Sequence, residues 1–84
     1  SARDFDSAIG TYADLAGDEL APPEVREEAL YRLGVEQGNL LNPGRDMAAA
    51  VQTLTRFLET YPDSRYAVEA QRFLDSYRGA AEPD

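Results

Sequence analysis

Apolar side chains recur at helical spacing in four windows of this chain, and glycine or proline punctuates the gaps between them. In the first window, Phe5, Ala8, Ile9, Tyr12, Leu15 and Ala16 fall on one stripe, which predicts an amphipathic helix over about 4–16 that Gly17 ends. An acidic stretch through Leu20 and Ala21 leads to Pro22 and Pro23, and Pro23 suits the first turn of a second helix over about 24–41. Glu24, Glu27 and Glu28 lie where the positive end of the helix dipole favours acids, and Asn42, Pro43 and Gly44 form the stop. The apolar positions of this helix, Val25, Ala29, Leu30, Leu33, Leu40 and Leu41, spread wider than a single stripe, and Gly34 and Gly38 sit one turn apart. That pattern predicts a central helix packed on two sides, with glycines that permit close backbone approach.

The third window is the clearest. Asp46 is placed to cap a helix over about 46–61 whose stripe is Met47, Ala50, Val51, Leu54, Phe57, Leu58 and Tyr61. Pro62 closes it. Asp63 or Ser64 is then expected to cap a fourth helix over about 64–78, lined by Tyr66, Ala67, Ala70, Phe73, Leu74 and Tyr77 and ended by Gly79. Residues 80–84 read as a flexible tail beyond a domain spanning 1–79. No window alternates with the period of a strand, so the chain is expected to be all-α, with short connections making antiparallel neighbours of its four helices.

The helices also repeat. Asp4 and Asp46 differ by 46 − 4 = 42, and at that offset Arg3, Asp4, Phe5, Ala8, Ile9, Tyr12 and Leu15 fall on Arg45, Asp46, Met47, Ala50, Val51, Leu54 and Phe57. At an offset of 69 − 28 = 41, Glu28, Ala29 and Leu33 fall on Glu69, Ala70 and Leu74. Paired helices that repeat are the mark of an α-solenoid. Asp46, Met47, Ala50, Val51 and Pro62 resemble the second helix of a tetratricopeptide repeat, and residues 29–34, with Leu33 and Gly34 together, resemble its first. Residues 57–70, from Phe57 through Tyr61, Pro62 and Tyr66 to Ala70, look like a narrower subgroup from bacterial cell-envelope proteins, including outer-membrane assembly lipoproteins and periplasmic division coordinators.

The resemblance implies an antiparallel four-helix solenoid segment of about one complete repeat flanked by half-repeats, working on the periplasmic side of a bacterial envelope; a cytoplasmic location stays open. Three departures qualify it. The stretch between Gly34 and Asp46 is about four residues longer than the family's 34-residue period allows, with Leu40, Leu41, Asn42, Pro43 and Gly44 as the insertion, so the second helix is longer or its exit loop larger. The first helix lacks the partner that should precede it, so the chain is expected to be a slice of a longer array. Asp75 stands where the family has glycine, which suits a helix with one solvated face.

Composition narrows the function classes. With 84 residues, one domain is expected. The formal net charge of −8 disfavours nucleic acid and anionic lipid and favours basic or neutral partners. All the basic residues are arginine, which reads as genome composition. No apolar run is long enough to span a bilayer, so no direct membrane insertion by this segment is expected. The absence of His and Cys removes Ser–His and Cys–His nucleophiles and the usual zinc ligands, so no catalytic residue, cofactor or metal is assigned. The acid pairs Asp18–Glu19 and Glu27–Glu28 lack calcium-loop spacing and read as helix-start acids. Asn42–Arg45 lacks the glycine-rich frame of a phosphate loop and reads as a helix stop.

In the resembled family the first helix of each pair lines a concave groove. Carried onto this chain, that places Glu28, Tyr31, Val35 and Asn39 of the second helix there, with Glu69, Arg72 and Ser76 of the fourth. Tyr31 falls off the main apolar stripe, and it and Arg72 are expected to be outward-facing, either as binding anchors or as part of a plain solvated face. The expected function is a non-enzymatic scaffold for protein or peptide partners. The alternative is a structural solenoid extension or self-association module with no groove ligand.

Overall fold

A computed structural model describes residues 2–82, which fold as four helices: α1 (Ala2–Ala16), α2 (Pro23–Gln37), α3 (Met47–Thr60) and α4 (Ala67–Ala81). No strand occurs among the described residues, so the fold is all-α. Each helix packs on the next in sequence, α2 also touches α4, and α1 packs on α2 alone. The result is an open slab of 41 × 30 × 15 Å rather than a closed bundle.

Contacts set the directions. Gly34 of α2 abuts Leu54 of α3, Gln37 meets Thr53, and Glu27 meets Ser64 just past α3, so α2 and α3 are antiparallel. Along α4, by contrast, Tyr66 meets Glu28, Phe73 meets Tyr31 and Tyr77 meets Val35. Helices α2 and α4 therefore run side by side in the same direction, and α3 is antiparallel to both. The core lies where the three converge: Leu30, Tyr31, Ala50, Leu54, Phe57, Ala70, Leu74 and Tyr77. The α1 stripe of Phe5, Ala8, Ile9, Tyr12 and Leu15 is only half-buried, because a single helix covers it.

Helix starts follow local chemistry. Pro23 occupies the first turn of α2, where a missing N–H costs nothing. The Asp46 carboxylate accepts from the Ala49 N–H at 3.0 Å and caps α3 as expected. Other boundaries differ from the sequence expectation. Helix α2 stops at Gln37 rather than Leu41, because Gly38 lies under the Tyr77 ring and the chain turns there. Leu40 and Leu41 are consequently 74% and 80% exposed instead of helical core. Helix α4 begins at Ala67, not residue 64, since Ser64 is committed to the preceding turn: its Oγ accepts from the Tyr66 N–H and donates to Glu27. Nor does Gly79 end α4, which continues through Ala80 and Ala81; of the expected tail, residues 83–84 lie outside the described residues.

The connection after α2 is held by two asparagines. Asn42 is 1% exposed; its Nδ2 donates to the Glu36 carbonyl at 3.2 Å and its Oδ1 accepts from the Gly44 N–H at 2.9 Å. Asn39 Oδ1 accepts from the Leu41 N–H at 2.9 Å, and the Asp46 N–H reaches the Gln37 carbonyl at 2.8 Å. The last carbonyls of α2 thus find partners although the helix ends early.

A matched pair of substitutions separates backbone propensity from packing. A Cβ at Gly10 meets nothing within 4 Å, so Gly10→Ala should stabilise the exposed helix by about 0.5–1 kcal/mol. A Cβ at Gly34 would lie 2.6 Å from Leu54 Cδ2, and Leu54 is fully buried. Overpacking of about 1–3 kcal/mol should outweigh the same helix gain there. Thermal melting of the two variants should move in opposite directions, by about 4–8 °C per kcal/mol.

Candidate functional site

The seam between the parallel helices α2 and α4 is floored by aromatic rings. Tyr31 stacks on Tyr66 with centroids 4.7 Å apart and planes 11° from parallel, tilts against Phe57 at 5.7 Å, and meets Phe73 edge-on at 6.5 Å. Stacked and tilted arrangements are those the ring quadrupoles favour. The Tyr77 hydroxyl donates to the Val35 carbonyl at 2.8 Å, tying the C-terminal half of α4 to α2. At the other end Arg65 lies over the Tyr66 ring, 4.9 Å from its centroid, and donates to the Tyr66 hydroxyl at 2.8 Å. That hydroxyl in turn donates to Glu28 at 2.9 Å.

Two clefts open beside α2, one at its seam with α4 and one between α1 and α2. The larger, about 330 Å³, lies between the end of α2, the start of α3 and the last turns of α4, and Val35, Asn39, Leu40, Met47, Phe73 and Tyr77 shape most of it. Ser76 and Ala80 complete its α4 wall. The smaller, about 210 Å³, has a floor of Tyr12, Leu15, Val25 and Ala29 beneath Glu24, Glu28 and Arg65. The larger cleft has mostly apolar walls and room for one or two apolar side chains. Among the described residues no group of three or more acids could hold a metal ion. No helix is long and apolar enough to cross a membrane.

The sequence-predicted groove residues divide among these features. Val35, Asn39 and Ser76 come together in the larger cleft, whereas Glu28 belongs to the smaller one. Glu69 and Arg72 line neither; they are exposed and pair with each other at 3.6 Å on the rim of α4. Tyr31 requires correction: it is 8% exposed and is a core ring, not an outward anchor. Its position off the α2 stripe is buried because α4 covers that side of the helix. Leu40, Met47, Phe73, Tyr77 and Ala80 escaped the sequence reading as groove residues. For Leu40 the signal was Gly38, a natural helix end that the following leucines obscured.

No protein-family model, curated protein or solved structure matches the chain.

Burial makes the Tyr31 and Tyr77 phenols harder to ionise. Tyr31 is raised above its ordinary 10.0 by desolvation first, then by nearby Glu69 and Tyr66 against an opposing effect of Arg32. Tyr77 is raised by desolvation, with Glu36 and Tyr31 adding to it. A group whose folded pKa is raised contributes stability that is complete below its unfolded value and is lost as pH climbs through the folded one. The melting midpoint should therefore fall as pH rises above 10.0. Tyr31→Phe, which keeps the ring and removes the ionisable group, should flatten that fall, and melting curves across the alkaline range measure it.

Truncation distinguishes core from rim. Tyr31→Ala should cost about 3–5 kcal/mol, as removal of a buried aromatic does. Arg72→Ala should stay within about 0.5 kcal/mol because its ion pair is exposed. Urea unfolding of both variants checks the contrast.

Proposed function

We propose that this chain is a non-enzymatic protein-binding scaffold on the tetratricopeptide pattern, holding a peptide or partner helix along the seam between α2 and α4. The observation that carries the reading is the apolar cleft of about 330 Å³ in which Val35, Asn39 and Ser76 meet. It lies between the two helices that the repeat pattern assigns to a binding groove. Further support comes from the open order of packing, with α1 on α2 alone and α2 beside a parallel α4, which is how a helical repeat array stacks. On the resemblance of residues 57–70, the reading extends to a bacterial envelope protein working on the periplasmic side.

The second reading is a structural extension with no groove ligand.

Selection of displayed random peptides on the folded chain tests the proposal. Binders should emerge that Leu40→Asp and Ser76→Arg abolish, since both residues line the cleft and both are exposed. The melting midpoint should move by no more than about 2–4 °C, as for surface changes generally. Selected peptides that bind these variants as well as the parent chain would favour the structural reading instead.

A further inference from the structure

The two clefts differ in chemistry but share one stripe of α2. Glu24 and Glu28 stand at its first two turns and Val35 and Asn39 at its end, so Glu28 and Val35 lie about 10 Å apart along the axis at 1.5 Å per residue. One cleft is walled by leucine, methionine and aromatic side chains. The other presents two carboxylates above an apolar floor. The one cation in that cleft, Arg65, is drawn over the Tyr66 ring and bonded to its hydroxyl, and no ion pair joins it to Glu24 or Glu28. Glu28 meets the Tyr66 hydroxyl through Oε1. Glu24 is exposed, and among the described residues neither of these two cleft-lining glutamates makes an ion pair.

We infer that the occupant of the seam is a cationic amphipathic peptide segment, read at two points. An apolar side chain fills the cleft beside Leu40, Met47 and Phe73. A lysine or arginine, about 10 Å away, lays its aliphatic stem on Tyr12, Leu15 and Val25 and brings its charge to Glu24 and Glu28. Positions i and i+7 of a helix span that distance on one face. The formal net charge of −8 acts in the same direction at longer range, attracting basic segments and opposing a second copy of this chain. This inference rests on the protein-binding reading and deepens it by naming the partner's chemistry.

The test uses peptides of known sequence from the displayed library, made with blocked ends and titrated against the intact chain by fluorescence anisotropy. Those blocked by Leu40→Asp should carry a lysine or arginine seven positions from an apolar residue, on one face of a helix. Glu24→Gln with Glu28→Gln should weaken them about three- to tenfold and reduce their salt dependence. Replacing the peptide's basic residue by glutamine should abolish that sensitivity, because the charge pair is then already lost. Asp14→Asn with Glu59→Gln removes the same total charge from exposed positions that line neither cleft, and should leave affinity almost unchanged. If cleft-blocked peptides lack the basic residue, or the two charge-removing pairs act equally, the cationic assignment is overturned and the groove stands. If no peptide is sensitive to Leu40→Asp, the groove falls with it.

Discussion

Close approach at Gly34 of α2 and at Gly38, which follows its last residue, governs the rest of this fold. At Gly34 a Cβ would stand 2.6 Å from Leu54 of α3, and at Gly38 it would stand 2.5 Å from the Tyr77 ring of α4. Both neighbours are buried, so neither helix could remain where it is if side chains stood there. The consequences run outward from these contacts. Tyr77, seated on Gly38, brings its hydroxyl to the Val35 carbonyl, and that bond sets the register of α4 along α2. The same register brings Phe73 and Tyr66 to Tyr31 and closes the aromatic floor. Backbone proximity therefore sets where the seam lies, and ring packing fills it.

The burial of Tyr31 shows where periodicity stops being informative. Helices α1 and α3 each meet their surroundings through one face, and their stripes correspond to the half-buried and buried residues observed. Helix α2 has three neighbours. Ala29, Leu30 and Tyr31 are consecutive and all buried, covering an arc no single stripe can describe. The breadth of its apolar positions and its paired glycines marked α2 as central from sequence. Which flank α4 would cover depends on a pairing between residues some forty positions apart, and no local pattern encodes that.

Boundaries divide in the same way. Asp46 was legible because its capping bond is made to a backbone N–H three residues along, entirely within the local chain. The exit of α2 stayed open between a longer helix and a larger loop, because Leu40 and Leu41 look like one more helical turn; Gly38 under Tyr77 and the buried Asn42 turn the chain away first and give the larger loop. The start of α4 depends likewise on Ser64 reaching Glu27 in another helix. Of the candidate cleft, Val35 on α2, Asn39 just past it and Ser76 on α4 came from the resemblance to the tetratricopeptide family. The wall contributed by Leu40 and Met47 did not, since it exists only once the longer α2–α3 connection has folded back.

That connection gives the strongest physical reason to regard the seam as a working surface. Ending α2 early leaves two adjacent leucines largely in water, an arrangement that burial energetics alone would remove at roughly 25 cal/mol for each Å² of apolar surface. The chain instead holds them in place: Asn39 fixes the Leu41 N–H, and a fully buried Asn42 binds both the end of α2 and the start of the return. Burying an amide is itself unfavourable unless its hydrogen bonds are made, and here both ends of the amide are used. An ordered turn that keeps Leu40 beside Met47 and Phe73 gives the cleft its wall before any ligand arrives. Such preorganisation lowers the entropy lost on binding, which is what a short segment with few anchor points most requires.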